Sequence, residues 1–185
     1  MKILRHFPFY LLVLFFSGCS WFEIERPKEP DPVLPPITQE GKNTIGFTYD
    51  SGKVWVPKGG INNPSLSVSY GNYSYAEAFL YLHGNRVEKD GLFHLGIEYE
   101  NIVDIGEYIL THSGDGTKIG YFRVSNGEEK EEFETDSMHI GKLIITRPDT
   151  TNTIISGTFY FDAVSKEGNV VQIRDGRFDL NYTYY

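Results

Sequence analysis

Ile154-Ile155-Ser156-Gly157-Thr158-Phe159-Tyr160-Phe161-Asp162-Ala163-Val164 is followed, across Glu167-Gly168-Asn169, by Val170-Val171-Gln172-Ile173-Arg174-Asp175-Gly176-Arg177-Phe178-Asp179-Leu180-Asn181-Tyr182. Both runs are rich in β-branched and aromatic residues, and the segment between them carries a Gly-Asn turn signal. Phe159 and Phe161 alternate with Tyr160, and Phe178 and Leu180 alternate with Asp179. A period of two predicts strands, with each Phe pair turned to one core face and Tyr160 to the other side. Asp175-Gly176 predicts a bulge or tight turn inside the last strand.

The same reading extends back to Thr44. Ile45, Phe47 and Tyr49 alternate, Asp50-Ser51-Gly52 turns the chain, and Val54-Trp55-Val56 follows. Ser65–Tyr70 gives another strand. Ala76–His83 and Leu92–Tyr99 flank Glu88-Lys89-Asp90-Gly91, a hairpin signal. Tyr108–Thr111 and Lys118–Val124 flank Ser113-Gly114-Asp115-Gly116, read as a second hairpin. Glu131–Thr135 is a polar strand and Lys142–Thr146 an apolar one. No segment is long enough for a crossover helix, so residues 44–185 are expected to form an all-β, antiparallel, meander-rich sandwich of about ten strands. A lipocalin-like closed barrel is the alternative.

In the hairpin around Lys89, residue numbers summing to 175 place Leu82 opposite Phe93, Leu80 opposite Leu95 and Ala78 opposite Ile97, all on one face. The other face then holds Tyr81 opposite His94, with His83 one diagonal step away. Tyr81, His83 and His94 are therefore the candidate binding residues.

The N-terminus is read as a processing segment. Lys2 and Arg5 precede an apolar run from Phe7 to Phe16, too short for a standard membrane span. Phe16-Ser17-Gly18-Cys19 then resembles a lipobox, which makes 1–18 a lipoprotein signal peptide and Cys19 the lipidation site. Cys19 is the only cysteine, which excludes an intramolecular disulfide and a cysteine-based zinc site. Five of the nine prolines lie between Pro27 and Pro36, so 19–43 is expected to be an extended tether. The anchored chain should sit in the bacterial envelope, in the outer membrane.

Two stretches carry a family resemblance: Leu34-Pro35-Pro36-Ile37-Thr38-Gln39 through Val54-Trp55-Val56-Pro57-Lys58-Gly59, and Ile155–Phe161 followed by Asp175-Gly176-Arg177-Phe178-Asp179. Together they resemble a family of Bacteroidota envelope lipoproteins described as a domain of unknown function. The resemblance implies an envelope location and an all-β fold, and it transfers no catalytic residue.

Chemistry is sparse. The 185 residues carry a net charge of −8, which argues against nucleic-acid binding. No P-loop, dinucleotide fingerprint, nucleophile elbow or zinc-protease motif is present, so no catalytic residue, metal or cofactor is assigned and the protein is read as not an enzyme. The acidic run Glu128–Asp136 lacks a calcium-loop pattern and reads as a solvated edge hairpin. Asp136-Ser137-Met138 and Asp149-Thr150-Thr151 resemble O-glycosylation sequons, with Ser137 and Thr150 as acceptors. The expected role is a binding or interaction module for a glycan or an envelope protein, attached to the membrane by its N-terminal lipid. The alternative is a small barrel that carries an apolar ligand.

Overall fold

The computed structural model describes residues 30–60, 65–72, 78–89, 91–102, 104–112 and 117–183. The signal segment and Cys19 lie outside the described residues, as do the Ser113–Gly116 turn and Asp90. Eleven strands account for the body: β1 (Thr44–Tyr49), β2 (Lys53–Trp55), β3 (Leu66–Asn72), β4 (Ala78–Glu88), β5 (Gly91–Glu100), β6 (Gly106–Leu110), β7 (Lys118–Asn126), β8 (Glu129–Glu134), β9 (Gly141–Asp149), β10 (Ile154–Val164) and β11 (Val170–Asn181).

They form one antiparallel sheet in the order β2-β1-β11-β10-β8-β7-β5-β4-β3, with β9 and β6 branching from β10. The sheet curls into a half-barrel. The expected all-β antiparallel fold is thus present as a single continuous sheet whose walls face each other like the layers of a sandwich. Isolated bridges from Lys58 to Arg86 and from Ser69 to Thr183 draw its two edges together.

The long C-terminal hairpin organises this curl. Phe159, Phe161, Phe178 and Leu180 are all buried, whereas Tyr160 is 44% exposed, as the alternation predicts. Phe47 stacks on its cross-strand partner Trp55 at 4.8 Å and, across the interior, meets Phe122 edge-on at 5.8 Å. Trp55, Phe47, Phe122 and Phe159 are fully or almost fully buried and fill the space between the walls. Such packing is the main stabilising term, at about 25 cal/mol per Å² of apolar surface removed from water.

The last strand does carry an irregularity. Phe159 pairs with Gly176 but Phe161 pairs with Ile173, so β11 has one extra residue there. The positive φ of 53° falls on Asp175, not on the glycine. Gly176 has a different role: a Cβ there would come within 2.5 Å of the Phe159 ring. Asp175 thus takes the left-handed position, which aspartate tolerates, and Gly176 permits the close approach.

Three sequence expectations change. First, β6 pairs with β9, while β7 pairs with β5 and β8, so the expected hairpin between Tyr108–Thr111 and Lys118–Val124 does not form as a ladder. Only the end of β6 meets β7, where the Thr111 amide donates to the Lys118 carbonyl at 2.7 Å. Second, the β4–β5 register sums to 179: Leu82 pairs with Ile97 and Asn85 with His94. Gly84 to Glu88 continue the ladder as far as the Glu88–Gly91 pair instead of forming a loop, and the partners slide by four. An even slide leaves every side chain on its assigned face.

Third, the compact unit runs from Pro32 to Tyr185, so residues 32–43, expected to be tether, belong to the body. Pro35 lies against Gly46 of β1, where a Cβ would come within 2.7 Å of it. The carboxylate of Asp179 accepts from the Thr38 hydroxyl (2.6 Å), the backbone amides of Glu40 (2.9 Å), Gly41 (2.8 Å) and Lys42 (3.2 Å), and the Ser156 hydroxyl (2.7 Å). Asp179 is only 1% exposed. Burial alone would raise its pKa, but the donors from Thr38, Glu40, Ser156 and Gly41 outweigh it and hold the carboxyl well below the usual range. Proline density excluded a ladder position for this segment. It did not exclude a strap across the outer side of the sheet.

Candidate binding face

The outward side chains of β4, β5 and β7 make a polar and aromatic cluster on the wall opposite the Phe core. The face follows from the alternation: Leu80, Leu82, Leu95 and Ile97 are fully buried, which turns Tyr81, His83, His94 and Glu98 outward. The expected Tyr81–His94 pairing is replaced. Tyr81 sits opposite Glu98 and His83 opposite Gly96. The two imidazoles still meet diagonally, with ring centroids 5.6 Å apart.

Three residues that sequence reasoning did not single out complete the cluster: Glu98, Tyr121 and Arg123. They become neighbours because β5 pairs with β7, placing Gly96 opposite Tyr121 and His94 opposite Arg123. A Cβ on Gly96 would lie 2.0 Å from the Tyr121 ring, so the bare glycine backbone is the floor on which that ring rests. Glu98 Oε1 accepts from the Tyr121 hydroxyl at 3.1 Å and from His83 Nε2 at 3.0 Å. His94 Nδ1 donates to the Asn85 side-chain oxygen at 2.6 Å. That bond leaves its Nε2 facing the Tyr121 hydroxyl at 3.4 Å. The Arg123 guanidinium lies 4.1 Å from the Tyr121 ring centroid and pairs with Glu132 of β8. Tyr81 belongs to a second knot, donating to Glu100 at 3.4 Å and contacting Phe79 at 4.9 Å.

The electrostatics follow from this crowding. Burial, then the neighbouring His83 and Arg123, push the His94 imidazole down to about 4, so it is neutral at pH 7. Burial and the Glu98 charge push the Tyr121 phenol up, so it keeps its proton. Tyr121 itself is only 4% exposed, so the groups the face presents are the half-buried His83, His94 and Glu98, held rigidly on strands around it. Beside it a groove of about 410 Å³ is lined by Leu92, His94, Arg123, Ser125, Lys130 and Glu132. Among the described residues, no three His, Cys, Asp or Glu side chains are placed to hold a metal ion.

The other singled-out residues are separate from this face. Ser137 and Thr150 are both exposed and both sit one residue after an aspartate that closes a turn. Asp136 Oδ1 accepts from the amides of Met138 (2.8 Å) and His139 (2.6 Å). Asp149 Oδ1 accepts in the same way from Thr151 (3.0 Å) and Asn152 (2.9 Å). His139 turns its ring to Asp136 at 2.9 Å. In the acidic run, Phe133 is buried and Glu132 binds Arg123, while β8 meets β10 only at Glu134, so most of its far edge is open.

No curated protein and no solved structure matches the chain. A family model does match, from Ser67 to Asp179. That span covers β3 to β11, including the entire Tyr81–Arg123 cluster, and ends on the carboxylate that holds the strap. It takes in more than half of the sequence, and the chain accordingly belongs to the domain-of-unknown-function family DUF6252.

Proposed function

We propose that the protein is a lipid-anchored envelope lipoprotein of the Bacteroidota type, held in the outer membrane through Cys19, and that its body is a non-catalytic module binding a glycan or an envelope protein. The observation that carries the binding reading is the Tyr121–His94–Glu98–His83 network beside its groove. It sets half-buried imidazoles and a carboxylate around the buried Tyr121 ring, fixed hydrogen-bonding groups of the kind that recognise sugar hydroxyls and wet protein surfaces. Its acid–base groups are already engaged with one another, which supports binding over catalysis. The alternative role as a carrier of an apolar ligand gains less support, because large aromatic side chains occupy the interior.

Ser137 and Thr150 fit the same reading as O-glycosylation acceptors, since each stands exposed at the apex of an aspartate-closed turn. The whole proposal is tested by two measurements on the protein expressed in a Bacteroidota host. Labelled fatty acid should enter the native chain and not Cys19→Ala. On a glycan array or in cross-linking from native membranes, the ligand captured by the native chain should be lost in Tyr121→Ala and retained in Lys89→Ala. Capture that is indifferent to Tyr121 would place the ligand elsewhere.

A further inference from the structure

Among the described residues, eight large apolar side chains are exposed, and five of them lie on β6, β9 and β10 or within three residues of these strands. Ile109 of β6 pairs with Lys142 of β9, which pairs in turn with Tyr160 of β10, so the three form a row across the outer side of the sheet. Ile140 stands two residues before Lys142 and joins the ladder through its carbonyl, which accepts from the Asp162 amide at 3.2 Å. Met138 stands two residues before Ile140, in the turn closed by Asp136, and Ile105 precedes β6 by one residue, in sequence alternation with Glu107 and Ile109. Their exposures are 45% for Ile109, 44% for Tyr160, 50% for Ile140, 84% for Met138 and 65% for Ile105. Lys142 is the cation in their midst and Glu107 binds it at 2.6 Å, so this row carries no net charge. Single exposed apolar residues need no explanation, but a cluster with a neutral polar centre marks a contact surface.

We propose that this sector, built on Ile109, Ile140, Met138 and Tyr160, docks the body on the surface of a zwitterionic lipid bilayer. The inference rests on the lipid-anchor reading and adds to it a second, non-covalent contact with a defined face. Chain length selects the occupant. Between Cys19 and the start of the compact unit at Pro32 there is at most about 45 Å of extended chain, against a radius of gyration of about 15 Å for a body this size. The body is therefore held at high effective concentration beside the bilayer. The chain enters across β1 at Pro35, on the outer side of the same sheet that carries the patch. Isoleucine and methionine insert below the headgroups, tyrosine seats at the interface, and the lysine stem lies along apolar surface with its amine in water. The net charge of −8, which becomes −10 when residues 1–18 leave with Lys2 and Arg5, disfavours a strongly anionic surface, whereas a neutral patch on a zwitterionic one carries no such penalty.

The test uses the full lipoprotein in phosphatidylcholine vesicles, with Ile140→Cys carrying an environment-sensitive fluorophore and Lys89→Cys, on the β4–β5 turn, as the comparison. Cys19 is the only native cysteine, and a lipidated Cys19 cannot take the label, so one fluorophore per chain also checks the anchor. Nitroxide-bearing lipids should quench the label at 140 several-fold more than the label at 89. Adding Ile109→Asp, at an exposed position, should reduce that difference without moving the thermal melt. Equal quenching at both positions overturns the docking surface while leaving the anchor standing. A label at 140 that is shielded from water yet not quenched by lipid means that a protein covers the patch, and likewise overturns it. Two fluorophores per chain overturn the anchor, and the docking proposal with it.

Discussion

The Thr38 hydroxyl donates to the Asp179 carboxylate at 2.6 Å, across 141 residues of sequence. Four further donors share that carboxylate, and hydrogen bonds to a charged group contribute about 1.5–3 kcal/mol each, with strong non-additivity. Asp179→Ala should therefore cost about 3 kcal/mol or more in a urea melt. A chain beginning at Asn43 should lose stability to a comparable degree. Its carboxyl is held below the unfolded value of about 3.9, so the contribution is complete above that pH and is lost as pH falls towards the folded value. Asp179→Asn should flatten this part of the acid limb. A truncated chain that melts like the full one would show that the strap adds nothing.

His94 should titrate at about 4, well under the usual 6.5. A lowered histidine pKa means that the unfolded chain takes up protons first. Stability should thus fall as pH drops from about 6.5 to about 4, by at most about 3 kcal/mol and less to the extent that the ring is wet. His94→Gln should remove that slope. The imidazole resonances, followed by NMR, give the midpoint directly. A midpoint near 6.5 would mean that the cluster is more open than described.

Phe161→Ala should cost about 3–5 kcal/mol, since the ring is fully buried and Gly120 and Gly141 both pack against it. Tyr160→Ala, one residue earlier on the exposed side, should cost about 1 kcal/mol or less. The order of the two denaturation midpoints is the measurement, and a reversed order would invert the face assignment of β10.

Gly96→Ala places a methyl where the Tyr121 ring lies, 2.0 Å from Cζ. The ring must lift away from Glu98 and His94. We expect Tyr121 to become more accessible to nitration and the His94 midpoint to move back towards 6.5, with the core of Leu95 and Ile97 intact. Unchanged Tyr121 reactivity would argue against glycine as the floor of the face.

Much of the architecture was legible because alternation is a local property. Phe159, Phe161, Phe178 and Leu180 announced the core hairpin, and Leu80 and Leu82 turned His83 outward whatever the register. The slide from 175 to 179 was hidden because Arg86 and Val87 look like loop residues only when Gly84 is taken as a stop. The pairing of β6 with β9 was not readable, since neither strand carries a signal naming its partner. Glu98 and Tyr121 escaped for the same reason: they meet only because β5 skips β6 to reach β7. Asp179 did leave a trace, a charged residue between two core positions, Phe178 and Leu180, yet nothing in the proline-rich segment identifies its donors.

The pairing of β1 with β11 sets the order of events during folding. Thr44 lies opposite Asp179, so the first strand has no partner on that side until nearly the whole chain has been made. β3, β4 and β5 can zip locally through short turns, whereas closing the β1–β11 seam must overcome the loop entropy of well over a hundred residues. The β1–β11 ladder and the Asp179 clip should therefore form last, and the chain should fold slowly for its size. Until then Ile45, Phe47 and Trp55 remain exposed, which makes the interval before the final strand emerges the period of greatest aggregation risk.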